Sequence, residues 1–336
     1  MAATRLRLLA IPPEAASFSS FGFGAAGPCD AEVRGRLERV LEVFVEGYNL
    51  ALARRGQDEL AAALRGRFDP HHVGFAFEGA GMAYALLDLA TPWRADRLAA
   101  FVGGPGRDHD YIAMVGAGLA IARLPWGRRR WPSYARRFDP LLAWCMADGY
   151  GFHQGVFAPG RYVRESAERA GPPAGLAPWA RRLFDAGLGR SLWWSQVAVP
   201  RRIAQAIGSF AEERRAEMWC GIGTAAAYAG GAGDEALGEL RELAGPYLPD
   251  LLSGVPFAAR MRDRGGNPSP ATDRACRLLL GRSPEAASRW LAGTVREVAA
   301  DESIDRHIRL RDAYLEVRRR LVEELRQHRK EAPHAS

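Results

Sequence analysis

Apolar residues recur along this chain at the three- and four-residue spacing of helices almost from end to end. Asp30 is placed to cap a helix in which Val33, Leu37, Leu41, Phe44 and Tyr48 share one stripe, ending near Gly56. Thr91-Pro92, Ser269-Pro270 and Ser283-Pro284 each read as a cap followed by proline at the first helical position, and Gly103-Gly104 closes the first of these helices. From Asp301 to His328 the pattern predicts a long amphipathic helix with Ile304, Ile308, Leu315, Val322 and Leu325 on one stripe. No run alternates with period two, and no Asn-Gly or Asp-Gly hairpin signal occurs, so the expectation is an all-α fold. The Pro/Gly/Arg-rich stretches 125–137 and 168–178 read as loops.

Internal similarity organises these helices. Phe44 to Leu52 matches Phe184 to Leu192 with Gly47 on Gly187. Phe77 to Ala85 matches Trp219 to Ala227 with Gly79 and Gly81 on Gly221 and Gly223. The spacing of Tyr111 to Gly118 recurs from Tyr247 to Gly254. The order is conserved within the chain, at offsets of 140, 142 and 136 residues. The expectation is two tandem copies of a multi-helix unit in one globular body. An extension (1–29) precedes the first copy (30–140), a Gly/aromatic connecting segment (141–183) joins it to the second (184–275), and C-terminal helices (276–330) follow. Glycine inside a helix costs about 0.5–1 kcal/mol relative to alanine. The paired glycines therefore point to close approach of another helix or to the flat wall of a ligand cavity.

Composition narrows the classes. The chain has 336 residues and a net charge of +7, but 45 of its 46 basic residues are arginine and they are dispersed, with Arg128 to Arg130 the tight cluster before the C-terminal helix. A nucleic-acid groove needs basic residues interleaved with aromatics on one face, and this pattern argues against one. Four well-separated cysteines, with no C-x-x-C pair, imply neither a disulfide framework nor a zinc site. Leu6 to Ile11 is short for a signal core, and Val73 to Ala90 is interrupted by Glu78 and Asp88. The expectation is a cytoplasmic protein without a membrane span.

Candidate chemistry sits in a few polar residues among apolar ones. Asp148, Tyr150, His153 and Gln154 lie among glycines and aromatics, and His153 is the natural general base or acid, assisted by Tyr150 or Asp148. Glu78 is the one charge in the apolar stretch GFAFEGAGM (74–82), so it must be paired, protonated or facing a cavity. Arg190, flanked by Trp193 and Trp194, is suited to clamp an anion or to pair with Asp185. Asp69-Pro70-His71-His72 reads as a polar helix start, and Asp108 as a cap. No metal motif, no G-x-S-x-G and no flavin, nicotinamide or haem signature is present, so no cofactor is expected.

The run Arg67 to Met82, together with DGYGFHQGVF (148–157), FDAGLGRSLWW (184–194) and RRAEMWCGIGTAAAYAGG (214–231), resembles a family of actinobacterial proteins. That family is encoded beside the iterative polyketide synthase of enediyne antibiotic gene clusters, and the resemblance spans about residues 20 to 320. It implies a role in making or maturing the enediyne core, with a linear polyene or an early cyclised intermediate as ligand and other enzymes of the cluster as partners. It brings no catalytic residues to carry over. Glu78, Gln154, Arg190, Trp193, Trp194 and the glycines 79, 81, 221 and 223 are then the expected ligand contacts. The alternative is a helical scaffold that docks other pathway enzymes.

Overall fold

A computed structural model describes residues 9–21, 23, 30–53, 56–91, 93, 96–164, 178–301 and 313–331, and every regular element among them is helical. Seven long helices form an inner layer: α1 (Ala31–Ala53), α3 (Val73–Ala90), α5 (Asp110–Arg123), α7 (Pro140–Phe157), α8 (Pro178–Ser195), α10 (Glu212–Tyr228) and α12 (Leu248–Gly265). Short helices α2 (Gln57–Arg67), α4 (Arg97–Gly103), α6 (Gly127–Ala135), α9 (Pro200–Gly208) and α11 (Asp234–Leu243) connect inner helices, and α13 (Pro270–Ala275), α14 (Pro284–Ala300) and α15 (Ala313–Glu331) complete the chain.

Consecutive inner helices run in the same direction. Arg182 and Asp185 of α8 pair with Glu217 and Arg214 near the start of α10. Arg262 Nη2, near the end of α12, donates to the carbonyl of Tyr228 at the end of α10 (2.6 Å). The row then wraps on itself. Tyr228 packs its ring on Phe75 at the start of α3 (5.1 Å between centroids), Arg262 Nη1 donates to the carbonyls of Pro70 and His71, and Arg264 pairs with Asp110 at the start of α5. The result is a spiral of parallel helices around a central lumen.

The paired glycines build this spiral. In α3, α5, α7, α8 and α10 the pairs are 79/81, 116/118, 149/151, 187/189 and 221/223. A Cβ on the first glycine of a helix would lie 1.9–2.0 Å from the carbonyl oxygen just before the first glycine position of the preceding helix. Gly116 would meet Glu78, Gly149 would meet Val115, Gly187 would meet Asp148 and Gly221 would meet Ala186. A Cβ on the second would lie 1.9–2.3 Å from a carbonyl oxygen of the following helix, as Gly81 does with Ala113 and Gly223 with Leu251. Helices therefore touch backbone to backbone on both flanks. The contact recurs once per inner helix, every 33–38 residues, so its period is one helix and not half the chain. Gly47 takes the second role in α1 and is equivalent to Gly189, two residues from the Gly187 that sequence similarity aligns with it.

Several local expectations are corrected. The 148–157 stretch of the expected connecting segment is the C-terminal half of α7, in which Gly149, Gly151 and Gly155 are seats for neighbouring helices. Residues 127–135 of the expected 125–137 loop form α6, amphipathic through buried Trp131 and Tyr134, whose hydroxyl donates to Asp88 (3.1 Å). Thr91 ends α3, its hydroxyl donating to the Leu87 carbonyl (2.7 Å), and the next helix starts at Arg97; Pro92 lies outside the described residues. Asp108 caps nothing: α5 starts at Asp110 with no side-chain cap. Ser269 and Ser283 do cap α13 and α14, and Asp69 Oδ1 accepts from the backbone N–H groups of His71 and His72 just ahead of α3. The long C-terminal helix is described from Ala313; Ile304, Ile308 and the 168–177 loop lie outside the described residues. Helix α3 is long and apolar enough to cross a membrane, and 89% of it is buried within the fold.

Candidate functional site

Two cavities bounded by described residues lie in the lumen. The larger, about 450 Å3, lies among α1, α3 and the C-terminal halves of α5, α7 and α8. Residues 9–15 cover it, held by the Tyr48 hydroxyl on the Leu9 carbonyl (3.0 Å) and by Asn49, which bonds both backbone groups of Ile11. The smaller, about 250 Å3, lies between the N-terminal halves of α5, α7 and α8 and the C-terminal halves of α10 and α12, closed by α14 and α15. Arg190 borders both.

The glycine seam dictates which side chains face inward. With the glycines on helix neighbours, the residue before the first glycine and the one four positions later share a stripe that turns to the lumen. Those residues are Glu78 and Met82, Val115 and Leu119, Asp148 and Phe152, Ala186 and Arg190, Cys220 and Thr224, and all of them line one cavity or the other. Most are apolar, so the three charged members stand out.

Arg190 Nη2 lies 2.5 Å from Asp148 Oδ1, and its guanidinium stacks over Phe152 (4.9 Å). This buried ion pair forms the waist between the cavities. Burial pushes the Asp148 carboxyl up from its usual range, and the Arg190 charge opposes that push. Glu78 lines the larger cavity with no hydrogen-bond partner; burial raises its pKa to about 7, Arg190 pulling it down and Asp148 pushing it up. His153 is also on the wall of the larger cavity, 6% exposed, with neither ring nitrogen bonded. Burial, then the nearby Arg123, lowers its pKa to about 4, so it is a neutral imidazole at physiological pH.

These shifts set a pH profile. A carboxyl whose pKa rises on folding favours the native state below its unfolded value of 4.5, and that contribution is lost as pH climbs through about 7. His153 acts in the other direction: stability is lost as pH falls from 6.5 through about 4. Glu78→Gln is expected to flatten the alkaline limb and to exceed the parent protein at pH 8 by on the order of 1–3 kcal/mol. Urea midpoints measured from pH 5 to 8 test this, and parallel profiles for the two proteins would refute it.

The expected catalytic group does not converge. His153 and Asp148 reach the lumen, but Tyr150 lies on the opposite side of α7, stacked on Trp131 (5.5 Å) and bonded to Gln154, and neither Tyr150 nor Gln154 lines a cavity. Trp194 lines the larger cavity, whereas Trp193 is fully buried and donates to the Gly230 carbonyl (2.8 Å). Arg190 pairs with Asp148 and not with Asp185, which takes Arg214. Positions five apart on a helix point about 140° away from each other, so Asp185 and Arg190 share no face. Gly79, Gly81, Gly221 and Gly223 meet other helices rather than a ligand. His71 is held by Ser269 (2.7 Å), and among the described residues no three His, Cys, Asp or Glu side chains are grouped to hold a metal.

Sequence reasoning missed Met82, Leu119, Phe152 and Arg123 of the larger cavity. The first three follow from one rule, three residues beyond the first glycine of each pair, once all five pairs are aligned. Arg123 lies one turn beyond Leu119 on the same stripe.

No curated protein and no solved structure matches the chain. A family model does, over residues 1–325, and the chain belongs to that family, described as "Protein of unknown function (DUF1702)".

Proposed function

We propose that this protein binds an elongated apolar molecule in its lumen, a polyene of polyketide origin or an early cyclised descendant, during enediyne biosynthesis. The observation that carries the reading is the lumen itself. Its larger cavity, about 450 Å3 and bounded mostly by apolar side chains, lies within the ~300–1,000 Å3 of small-molecule sites and has a few fixed polar groups. Arg190, ion-paired to Asp148, stands between it and a second apolar compartment of about 250 Å3. The resemblance to proteins encoded beside enediyne synthases supplies the ligand class.

A narrow, mostly apolar lumen fixes the conformation of a flexible chain. His153 lines the cavity, but both of its unbonded ring nitrogens are shielded from the open space, so a proton transfer to the ligand would require the ring to turn. Among the described residues the exposed large apolar side chains are few, Trp93, Phe157, Leu243 and Leu278 among them, so the reading rests on the lumen rather than on a docking surface.

The test is native mass spectrometry with an absorption spectrum on protein co-expressed with a polyene-forming iterative synthase. A retained polyene mass with its absorption is expected, and a mass differing from that of the synthase product would add catalysis to binding. Protein that emerges free of ligand from cells accumulating polyene would overturn the reading.

A further inference from the structure

The charges of the larger cavity are divided between its ends. Its one carboxyl among the described residues is Glu78, and the charges that bear on it are Arg190 and Asp148 at the waist. Val115, Leu119 and Arg123 step along one stripe of α5, about 6 Å apart on the helix axis, from the smaller cavity through the larger one to its outer end. Arg123 is exposed there, and it is the charge that bears on Tyr48 and His153 of the wall. It has no hydrogen-bond or ion-pair partner among the described residues. The other cations of the lumen are Arg190, paired with Asp148 (2.5 Å), and, on the smaller cavity, Arg260, paired with Asp263 (3.2 Å), and exposed Arg296. A cation in the last turn of a helix complements the dipole on any face, and Arg123 carries that charge on the face that turns to the lumen.

We infer that the ligand is an amphiphile with an anionic head, a long-chain carboxylate that pairs with the Arg123 guanidinium at the outer end of the cavity while its apolar chain runs inward. This deepens the proposed function and rests on it. A guanidinium presents two parallel N–H groups to a carboxylate, which orients the head as well as attracting it. At an exposed site the head keeps part of its hydration, whereas deeper in the lumen it would meet Glu78 and Asp148 and lose its water as well. An uncharged polyene would fill the same space and leave Arg123 to solvent. A chain held as a carrier thioester becomes this ligand when water adds at the thioester carbonyl and the C–S bond breaks, giving the free acid and the carrier thiol. Thioester hydrolysis is thus the class of reaction that supplies the ligand.

The experiment titrates the purified full-length protein, at neutral pH and low ionic strength, with two fluorescent probes of equal chain length: octadecatetraenoic acid and the corresponding alcohol. The acid is expected to bind about fivefold more tightly than the alcohol, and high salt is expected to shrink that preference because the head is exposed. Arg123→Gln is expected to bring the acid within about twofold of the alcohol while leaving alcohol affinity unchanged, and Arg296→Gln to keep the full preference. Equal affinity for acid and alcohol in the parent protein overturns the inference but leaves apolar binding standing. A preference that survives Arg123→Gln, or is lost in Arg296→Gln, puts the head on another cation and overturns it as well. Binding of neither probe overturns both the inference and the proposed function. Where Arg123→Gln fails to fold, the parent protein and Arg296→Gln decide.

Discussion

Replacing Gly149 by alanine is expected to cost about 3–5 kcal/mol of stability, while the same change at Gly238 stabilises by about 0.5–1 kcal/mol. Both glycines are inside helices, where alanine is intrinsically preferred. The difference is what the added methyl meets. At Gly149 it would lie 1.9 Å from the Val115 carbonyl oxygen, a rigid backbone atom of α5 that can move only if the helix moves. At Gly238, on α11, nothing lies within 4 Å. Displacing α7 from α5 also disturbs the opposite flank, because Gly151 of α7 already rests on the Phe184 carbonyl of α8. Urea unfolding of the two variants beside the parent protein reads the difference directly. Two small shifts of the same sign would mean that the helices do not pack backbone to backbone as described.

The second large effect is at the waist of the lumen. Arg190→Met removes the cation and leaves Asp148 buried without its partner, and a loss of about 3–5 kcal/mol is expected. The double variant Arg190→Met, Asp148→Asn removes both charges and is expected to recover most of that loss, since a buried pair seldom contributes more than its desolvation costs. The loss in the single variant grows with pH, because the unpaired Asp148 carboxyl has its pKa raised further and must ionise where no charge answers it. Unfolding of the single and double variants at pH 6 and 8 separates these terms. If the single variant were as stable as the double at both pH values, Asp148 and Arg190 would not be coupled as the 2.5 Å contact requires.

Much of this architecture was legible in the sequence, though at the wrong period. The pairs 79/81 and 221/223 read as landmarks of two large copies, but the same G-x-G at 116/118, 149/151 and 187/189 marks each inner helix in turn. The pair at 149/151 was hidden by its company. Glycines beside Tyr150, Phe152 and His153 imitate a turn, and only the close approach of α5 and α8 shows why a helix tolerates them. Glu78 stood out because a single charge in the apolar stretch 74–82 must be paired, protonated or facing a cavity, and the fold selects the last. The partner of Arg190 did not, since Asp148 is 42 residues away and is brought close by α7 packing on α8. Tyr150 illustrates the converse: it is two residues from Asp148, yet the helix turns it to the outer layer against Trp131.

The central claim is that the lumen enclosed by the glycine seam holds the ligand, and blocking that lumen tests it most directly. Leu119 lines the larger cavity, and Leu119→Trp places an indole in the empty space. Parent and variant proteins, matched by circular dichroism, are to be purified from cells making the polyene, and bound polyene quantified by absorption. Near-stoichiometric polyene in the parent and little in the variant is the expected result. Equal loading of the two would place the ligand elsewhere and contradict the account.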